Sequence, residues 1–253
     1  MNGGVLHLLD HQAVDDRGLF IADTFGPTFQ GEGPSLGRQA LFIRLSHCNL
    51  SCGQGPGARW ACDTAYTWDF KMHDPQDPKI RRRVLLDDLM AWVKAHTVRL
   101  VVITGGEPLL QRLGLERLVA MLHAEGYEIE IETNGTLIPS EDLVATVTAF
   151  NVSPKLVAAG GREIQRVVPA ALAAFASSGK ARFTFVVSEL AEFKEIADLP
   201  ERFAMDEIWV MPEGTSADMV RQGMRTIAEE ALACGWNLSP RLHVELWEDK
   251  RGR

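Results

Sequence analysis

The stretch RLVVITGG at residues 99–106 is a short apolar run that ends in two glycines. A continuous run of this kind, rich in β-branched residues, predicts a strand buried on both faces, as in a parallel sheet. The segment LERLVAMLHAEG at 115–126 follows it, with apolar residues at helical spacing and a glycine at the end. A buried strand followed by an amphipathic helix is one βα unit, so this part of the sequence predicts an α/β fold.

The same alternation extends along most of the chain. Strands are predicted at residues 39–46, 99–106, 127–135, 150–155, 181–188, 207–212 and 238–247. Helices are predicted at 85–96, 115–126, 140–147, 165–179, 189–203 with a break near Pro200, and 216–235. About six or seven parallel strands are too few for a closed (β/α)₈ barrel, so we predict an open, partial (β/α) barrel. A flat, doubly wound sheet is the alternative, and residues 1–253 are predicted to form a single domain.

Composition limits the classes of function. The chain has 253 residues, 46% apolar and 24% charged, with a net charge of -8, which argues against an extended nucleic-acid surface. It contains no apolar run long enough to span a membrane, and residues 1–16 lack the pattern of a secretion signal. The basic clusters at 81–83 and 250–253 are interpreted as solvated surface. We therefore expect a cytoplasmic protein with no nucleic-acid or membrane partner.

Three of the four cysteines lie close together, at Cys48, Cys52 and Cys62. A disulfide would leave one thiol over, and structural zinc usually takes four protein ligands. An iron–sulfur cluster held by three thiolates would leave one iron open to an outside ligand. The cysteines and the motifs TGGEP, ETNG, SPK and MPEG all follow predicted strands, so we expect them to meet at the carboxyl ends of the sheet.

The motif CNLSC followed by a cysteine and DTAYTWD resembles the radical S-adenosylmethionine (SAM) enzymes, whose usual spacing is C-x3-C-x2-C. Here nine residues separate Cys52 from Cys62. The segment at about 53–61 is interpreted as an inserted, flexible loop that bulges away from the site. Within the superfamily the chain resembles the 7-carboxy-7-deazaguanine synthase (QueE) family. The resemblance rests on TFQGEGPSLGRQALFIRLSHCNLSC, CDTAYTWD and VVITGGEPLLQ, with support from IETNGT, NVSPK, VMPEG and SPRLHVELW.

The resemblance implies a 4Fe–4S cluster on Cys48, Cys52 and Cys62, a Mg²⁺ ion on Thr64, and SAM as a further cofactor. The residues implied in SAM binding are Ala61, Cys62, Asp63, Gly106, Glu107, Ser153, Lys155, Met211, Pro212, Glu213 and Gly214, with Glu107 compensating the SAM ammonium. Those implied in substrate binding are Phe29, Gln30, Gly31, Arg44, Thr104 and His243, with Arg44 pairing with a carboxylate and His243 on the last strand.

The implied reaction is the ring contraction of 6-carboxy-5,6,7,8-tetrahydropterin to 7-carboxy-7-deazaguanine with loss of ammonia, a step toward queuosine and other deazapurines. No protein acid or base is assigned to it. A flavodoxin-type electron donor and a homodimer are expected from the family.

Simpler interpretations stay open at the single positions. Thr64 could be an N-cap or turn residue, Lys155 a surface lysine, and His243 a packed or surface histidine. Trp68 is expected to pack against the cluster loop, and Cys234 is interpreted as structural. For the whole chain, the alternatives are another radical SAM enzyme, such as a glycyl-radical activase, and a non-catalytic, zinc-stabilised α/β binding module.

Overall fold

The computed structural model describes residues 16–248 and 250–253. The N-terminal stretch in which no secretion signal is predicted lies outside the described residues, apart from Asp16. The strands are β1 Gly18–Phe29, β2 Gln39–Leu45, β3 Arg82–Leu85, β4 Leu100–Gly105, β5 Glu128–Thr133, β6 Ala149–Val152, β7 Ala181–Val187, β8 Ile208–Pro212 and β9 Asn237–Leu238.

Within residues 16–248 the nine strands form one sheet in the order β3-β1-β2-β4-β5-β6-β7-β8-β9. The pairs from β2 and β4 onward to β9 are parallel, whereas β1 is antiparallel to both β2 and β3. Because β3 and β9 stand at opposite ends of this order, the sheet is open. The prediction of an open, partial barrel is therefore confirmed, with more strands than the six or seven expected.

The sequence pattern missed the antiparallel strands β1 and β3. The Gly26–Pro27 pair, which signals a turn, lies inside β1 at a shift in register between Phe25 and Thr28. A proline is tolerated there because a bulge does not require its missing N–H. The basic cluster at 81–83 extends into β3, and the Arg81 guanidinium lies 5.2 Å from the ring centre of Phe20.

The helices lie between the strands: α1 Leu86–Lys94, α2 Arg112–Ala124, α3 Glu141–Thr146, α4 Glu163–Arg166, α5 Pro169–Ser177, α6 Phe193–Phe203, α7 Ala217–Cys234 and α8 Leu242–Trp247. Two of these helices begin at a capping serine, and one of the two ends at a glycine. The Ser140 and Ser216 hydroxyls accept N–H bonds in the first turns of α3 and α7, and Gly235 ends α7 in the left-handed conformation. Within the described ranges, every helix is too short or too polar to cross a bilayer.

Three predicted elements were wrong in detail. The helix predicted at 165–179 is two helices, because Val168 before Pro169 takes an extended conformation. Pro200 does not break α6, which continues to Phe203. The predicted last strand stops at Leu238 and Pro240 follows, so the ladder loses its next donor and the chain turns into α8. His243 therefore lies on a helix.

A single large apolar core lies between the sheet and the surrounding helices. It includes Leu41, Ile43 and Ile103 from the strands and Leu118 and Leu122 from α2, all fully buried. The opposite face is mixed: β2 and β4 carry a small apolar cluster there, whereas β5 places acidic side chains on it, alternating with isoleucine (Ala40, Phe42, Leu100 and Val102; Glu128, Glu130 and Glu132). The fold thus presents a polar inner face at the carboxyl ends of its parallel strands.

Candidate active site

One cavity opens at the carboxyl ends of the parallel strands. Each of these strands from β2 to β8 contributes to its wall, through Arg44, Thr104, Glu132, Asn151, Thr184 and Met211. The predicted residues that line it are Phe29, Gln30, Gly31, Arg44, Cys48, Cys52, Ala61, Cys62, Asp63, Thr64, Thr104, Gly106, Ser153, Lys155, Met211, Glu213 and His243. The expectation that these motifs meet at one rim is met. Glu107, Pro212 and Gly214 are predicted site residues that do not line the cavity.

The three clustered cysteines line this cavity, and all four cysteines are free, which excludes the disulfide. Burial raises the pKa of the Cys48 thiol to about 12, and burial also raises the pKa of Cys52. Such thiols hold their protons until a metal displaces them. The neighbouring His47 packs its ring against Phe70 at 5.1 Å, as expected of a residue that does not share the metal.

The arrangement of these thiols bears on the zinc alternative. Among the described residues, no three His, Cys, Asp or Glu side chains are close enough to hold one metal ion. A single zinc ion would require its ligands to converge on one point, whereas an iron–sulfur cube binds each cysteine through a different iron. Three separated thiols around one cavity therefore fit a 4Fe–4S cluster better than a mononuclear zinc site.

The inserted loop at 53–61 does not bulge away from the site, contrary to the prediction. The Gly53 N–H donates to the Ala159 carbonyl oxygen at 2.8 Å, and the Arg59 N–H donates to that of Ala158 at 2.9 Å. The Arg59 side chain forms ion pairs with Glu189 and Glu192. These bonds hold the loop against the segment after β6, and its last two residues, Trp60 and Ala61, line the cavity.

Thr64 stands at the N-cap position of a short 3-10 turn but makes no capping bond. Its hydroxyl lies 3.5 Å from the Cys62 Sγ atom and lines the cavity. The turn is held instead by the Thr64 carbonyl oxygen, which accepts the Thr67 hydroxyl at 2.8 Å. The Thr64 hydroxyl is thus not used as a cap and faces the space where a ligand would bind.

Arg241, which the sequence reasoning missed, joins three of the loops around the cavity. Its Nη2 donates to Asp63 Oδ2 at 2.6 Å, its Nη1 to the Gly214 carbonyl oxygen at 3.0 Å, and its Nε to Glu32 Oε1 at 3.3 Å. Burial alone would raise the pKa of Asp63, but the charge and hydrogen bond of Arg241 outweigh it and lower this pKa to about 2. The loops that carry Glu32, Asp63 and Gly214 are therefore fixed to one buried guanidinium.

Glu107 is fully buried behind the cavity wall. Its carboxylate accepts the Leu109 N–H at 3.1 Å, the Asn134 N–H at 2.8 Å and the Thr133 hydroxyl at 2.8 Å. These donors occupy the carboxylate, so its predicted contact with the SAM ammonium is not supported. Gly106 does line the cavity, and a Cβ atom there would lie 2.2 Å from the His47 carbonyl oxygen, so only glycine fits.

Some of the other predicted SAM-binding residues line the cavity, and the rest lie behind its wall. Lys155 donates to the Ser153 hydroxyl at 2.8 Å beside the cavity, so it is not a free surface lysine. Met211 and Glu213 line the cavity. Pro212 instead packs toward α7, where a Cβ on Gly223 would lie 2.4 Å from it. The Gly214 carbonyl contributes to the loop anchor on Arg241.

The predicted substrate residues form a mixed polar and aromatic wall. The Arg44 Nε atom is buried without a hydrogen-bond partner, and its guanidinium lies 5.6 Å from the Phe25 ring centre. Gln30 donates to Glu132 Oε1 at 3.1 Å. Burial lowers the pKa of His243 to about 4, with a further contribution from the positive charge of Arg241, so this ring is neutral near pH 7. His243 is thus neither a surface residue nor a cation.

Glu132 and Asn134 also line the cavity, and the sequence analysis placed their motif ETNG at this rim without giving either residue a role. Burial raises the pKa of Glu132, as does the nearby charge of Glu32. A signal for Glu132 was present: the acidic residues of β5 alternate with isoleucines that pack in the core, so the acids must face the inner side of the sheet. No comparable pattern identified Arg241.

Comparison with known proteins came from three directions. Residues 29–145 match the family described as a 4Fe-4S single cluster domain. The 7-carboxy-7-deazaguanine synthase of Pyrobaculum aerophilum is 36% identical over 234 residues, covering 89% of this chain and 94% of the relative. That of Halobacterium salinarum is 30% identical over 250 residues, covering 88% of each chain. The crystal structure of QueE from Escherichia coli is similar with a TM-score of 0.62 at 27% identity, covering 94% of this chain and 98% of the other.

Proposed function

The chain belongs to the 7-carboxy-7-deazaguanine synthase family of radical SAM enzymes, and on this premise we propose that its cavity converts 6-carboxy-5,6,7,8-tetrahydropterin to 7-carboxy-7-deazaguanine. One observation carries the proposal for the substrate. Three cysteines line the same cavity as Arg44, whose buried Nε atom has no hydrogen-bond partner. The first feature fits an iron–sulfur cofactor and the second fits a carboxylate-bearing substrate beside it.

Cys48, Cys52 and Cys62 would hold the 4Fe–4S cluster. When bound, the cluster and SAM supply one-electron cleavage of a carbon–sulfur bond and, through it, hydrogen-atom abstraction from the substrate. The chain's own part is to hold these groups in register and keep water out. Arg241 contributes to both, because it fixes the loop that carries Asp63 and Cys62 to two other walls of the cavity.

The SAM pocket would be formed by the strand ends next to the cysteines. Lys155 and the Asp63 carboxylate offer charges of opposite sign to the carboxylate and ammonium of SAM. Gly106 leaves room for close backbone approach, and Ala61, Ser153, Met211 and Glu213 would complete the wall. This assignment differs from the sequence-based one in replacing Glu107 by Asp63 as the anion toward the ammonium.

The substrate pocket would lie toward β1, β2 and α8. Arg44 would bind the pterin carboxylate through its guanidinium fork. Gln30, Glu132 and Thr104 offer acceptors and donors to the amide-like edge of a pterin. Neutral His243 would donate or accept one hydrogen bond without adding charge. Phe29 and Gly31 would complete this wall.

Thr64 would bind Mg²⁺ through its hydroxyl, which is free of a capping bond. Magnesium keeps several water or substrate oxygens among its ligands, so a single protein hydroxyl is sufficient. The ion would neutralise charge on the substrate during the rearrangement. The flavodoxin-type donor, the homodimer and the cytoplasmic location remain predictions from the family resemblance.

The test is anaerobic reconstitution with iron and sulfide, followed by incubation with SAM, Mg²⁺, dithionite and the carboxytetrahydropterin. We expect about four irons per chain and formation of the deazaguanine chromophore. Cys62→Ser should lose the cluster, whereas Cys234→Ser, on the exposed face of α7, should keep it. A protein that takes up one zinc and no iron would overturn the proposal, and iron without deazaguanine product would favour a different radical SAM reaction.

A second variant tests the substrate class. Arg44→Met should raise the KM for the carboxytetrahydropterin at least tenfold, because a charge-assisted bidentate contact is lost. Cleavage of SAM in the absence of substrate should be unchanged. An unaltered KM would show that Arg44 does not bind the substrate carboxylate.

A further inference from the structure

Two side-chain N–H groups point at the sulfur atoms of the cysteines. The Trp68 indole Nε1 lies 3.5 Å from Cys62 Sγ, and the Asn134 amide Nδ2 lies 3.8 Å from Cys48 Sγ. Both residues line the cavity. An indole nitrogen can only donate, so the contact of Trp68 has one possible direction.

The position of Trp68 is set by the turn before it. The Thr67 side chain is fully buried, and its carbonyl oxygen accepts the His47 N–H at 2.7 Å and the Ser46 hydroxyl at 3.2 Å. This contact joins the Cys62–Trp68 segment to the end of β2, immediately before Cys48. The indole therefore approaches Cys62 from a backbone that is fixed at both cysteine segments.

The orientation of the Asn134 amide is also determined. Its Oδ1 accepts the Thr136 N–H at 3.0 Å, and a backbone N–H can only donate, so Nδ2 must occupy the other position. One Nδ2 proton goes to Asn49 Oδ1 at 2.9 Å and the other faces Cys48. Glu107 anchors the same turn through the Asn134 N–H. The buried carboxylate thus supports the residue that contacts the sulfur.

Hydrogen bonds to cluster sulfurs stabilise the form with more negative charge, which is the reduced cluster. We propose that Trp68 and Asn134 raise the reduction potential of the cluster by donating N–H bonds to Cys62 and Cys48, and so set how strong a reductant the enzyme needs. The inference rests on the proposed function. The step concerned is the gain of one electron by the oxidised cluster from a low-potential donor, with no proton transferred.

The experiment is a redox titration of the reconstituted protein without SAM or substrate, followed by electron paramagnetic resonance of the reduced cluster. Trp68→Phe keeps the ring and removes the N–H. We expect its midpoint potential to be more negative than that of the parent. Trp92→Phe, a partly buried tryptophan on α1 that packs on His96, is the matched control and should leave the potential unchanged. Asn134→Ala should also lower the potential.

Each outcome decides one question. If the parent assembles no cluster, the proposed function fails. If Trp68→Phe and Asn134→Ala assemble the parent's iron content and titrate at the parent's potential, the inference is wrong while the function stands. If the variants do not hold a cluster, a Trp60→Phe protein with ¹⁵N-indole tryptophan decides, because Trp60 also lines the cavity: nitrogen coupling to the reduced cluster supports the Trp68 contact, and its absence refutes it.

Discussion

Replacement of Arg241 by methionine should destabilise the protein and loosen three loops at once. The methionine removes the only guanidinium that contacts Asp63, Glu32 and the Gly214 carbonyl among the described interactions, while keeping much of the side-chain volume. Arg241 is 8% exposed, so two carboxylates would lose a buried counter-charge.

The magnitude can be worked from the ion pair with Asp63. The pKa of Asp63 falls from an ordinary 3.8 to about 2, which corresponds to roughly 2.4 kcal/mol at 1.36 kcal/mol per unit. Because 41% of the Asp63 side chain is exposed to the cavity, solvent screening reduces this to about 1 kcal/mol. Glu32 and the Gly214 carbonyl oxygen would also lose their hydrogen bonds to Arg241, at about 1 kcal/mol each. We therefore expect a loss of about 3 kcal/mol, or a fall in Tm of about 6–12 °C.

The assay is anaerobic thermal unfolding at one scan rate of the parent, Arg241→Met, Asp63→Asn and the double variant. The lowered pKa means that the contribution of Asp63 is fully present above about pH 4 and is lost as the pH falls toward 2, so pH 7.5 reports all of it. Arg38→Met is the control, because its partner Glu128 is about as exposed as Arg38 itself and the pair should contribute less than about 1 kcal/mol.

The double variant gives the refutation. If Arg241 and Asp63 interact, the double variant should lose less stability than the two single variants added together. The difference should correspond to about 1 kcal/mol. If the two losses simply add, or if Arg241→Met unfolds no more easily than Arg38→Met, the role assigned to this guanidinium is wrong.

Three further changes test other contacts. Gly31→Ala should lower Tm, because the new Cβ would lie 2.2 Å from His243 Nδ1; His243→Ala added to it should restore much of the loss, and no restoration would contradict the clash. Gly160→Ala should release the inserted loop to limited proteolysis, because its Cβ would lie 2.3 Å from a carbonyl oxygen of that loop. Gly161 has a similar left-handed backbone but open space around a Cβ, so Gly161→Ala should not increase cleavage of the loop. Equal cleavage of the two variants would show that the loop is not held against Gly160. In cluster-free protein, the alkylation rate of Cys48 should rise about tenfold per pH unit from pH 8 to 11, because the raised pKa keeps most of the thiol protonated over this range. The rate is followed by mass spectrometry, and a plateau near pH 9 would contradict the raised pKa.

The fold could be predicted as far as the βα repeat extends. The parallel strands and most helices follow from apolar periodicity. The burial of both faces of a strand, or of one face of a helix, is visible in its own sequence. β1 and β3 could not be found this way. They pair antiparallel with each other, and β1 contains a glycine–proline pair that is acceptable only where its register with β2 shifts. The register of a strand pair depends on both strands, so it cannot be predicted from the sequence of one strand.

The site could be predicted where a short motif fixes the position of its residues at the end of a strand. The cysteines, Thr64 and Arg44 all line the cavity: Cys48 and Cys52 closely follow β2, and Arg44 lies near the carboxyl end of that strand. Glu107 shows where sequence alone is ambiguous, because an acidic residue in a glycine-rich motif can face a ligand or cap a turn, and here its carboxylate accepts backbone N–H groups. Arg241 was missed because its three partners come from distant parts of the sequence.

The docked loop between Cys52 and Cys62 is held by contacts outside the cavity, although it connects two cysteines that line the cavity. Main-chain bonds fasten its two ends, at Gly53 and Arg59, and residues 54–57 between them are exposed. A covalent probe at the exposed Pro56 would therefore lie outside the set of residues that line the cavity. The extra residues between the second and third cysteines are thus accommodated in a docked loop whose exposed middle takes no part in lining the cavity.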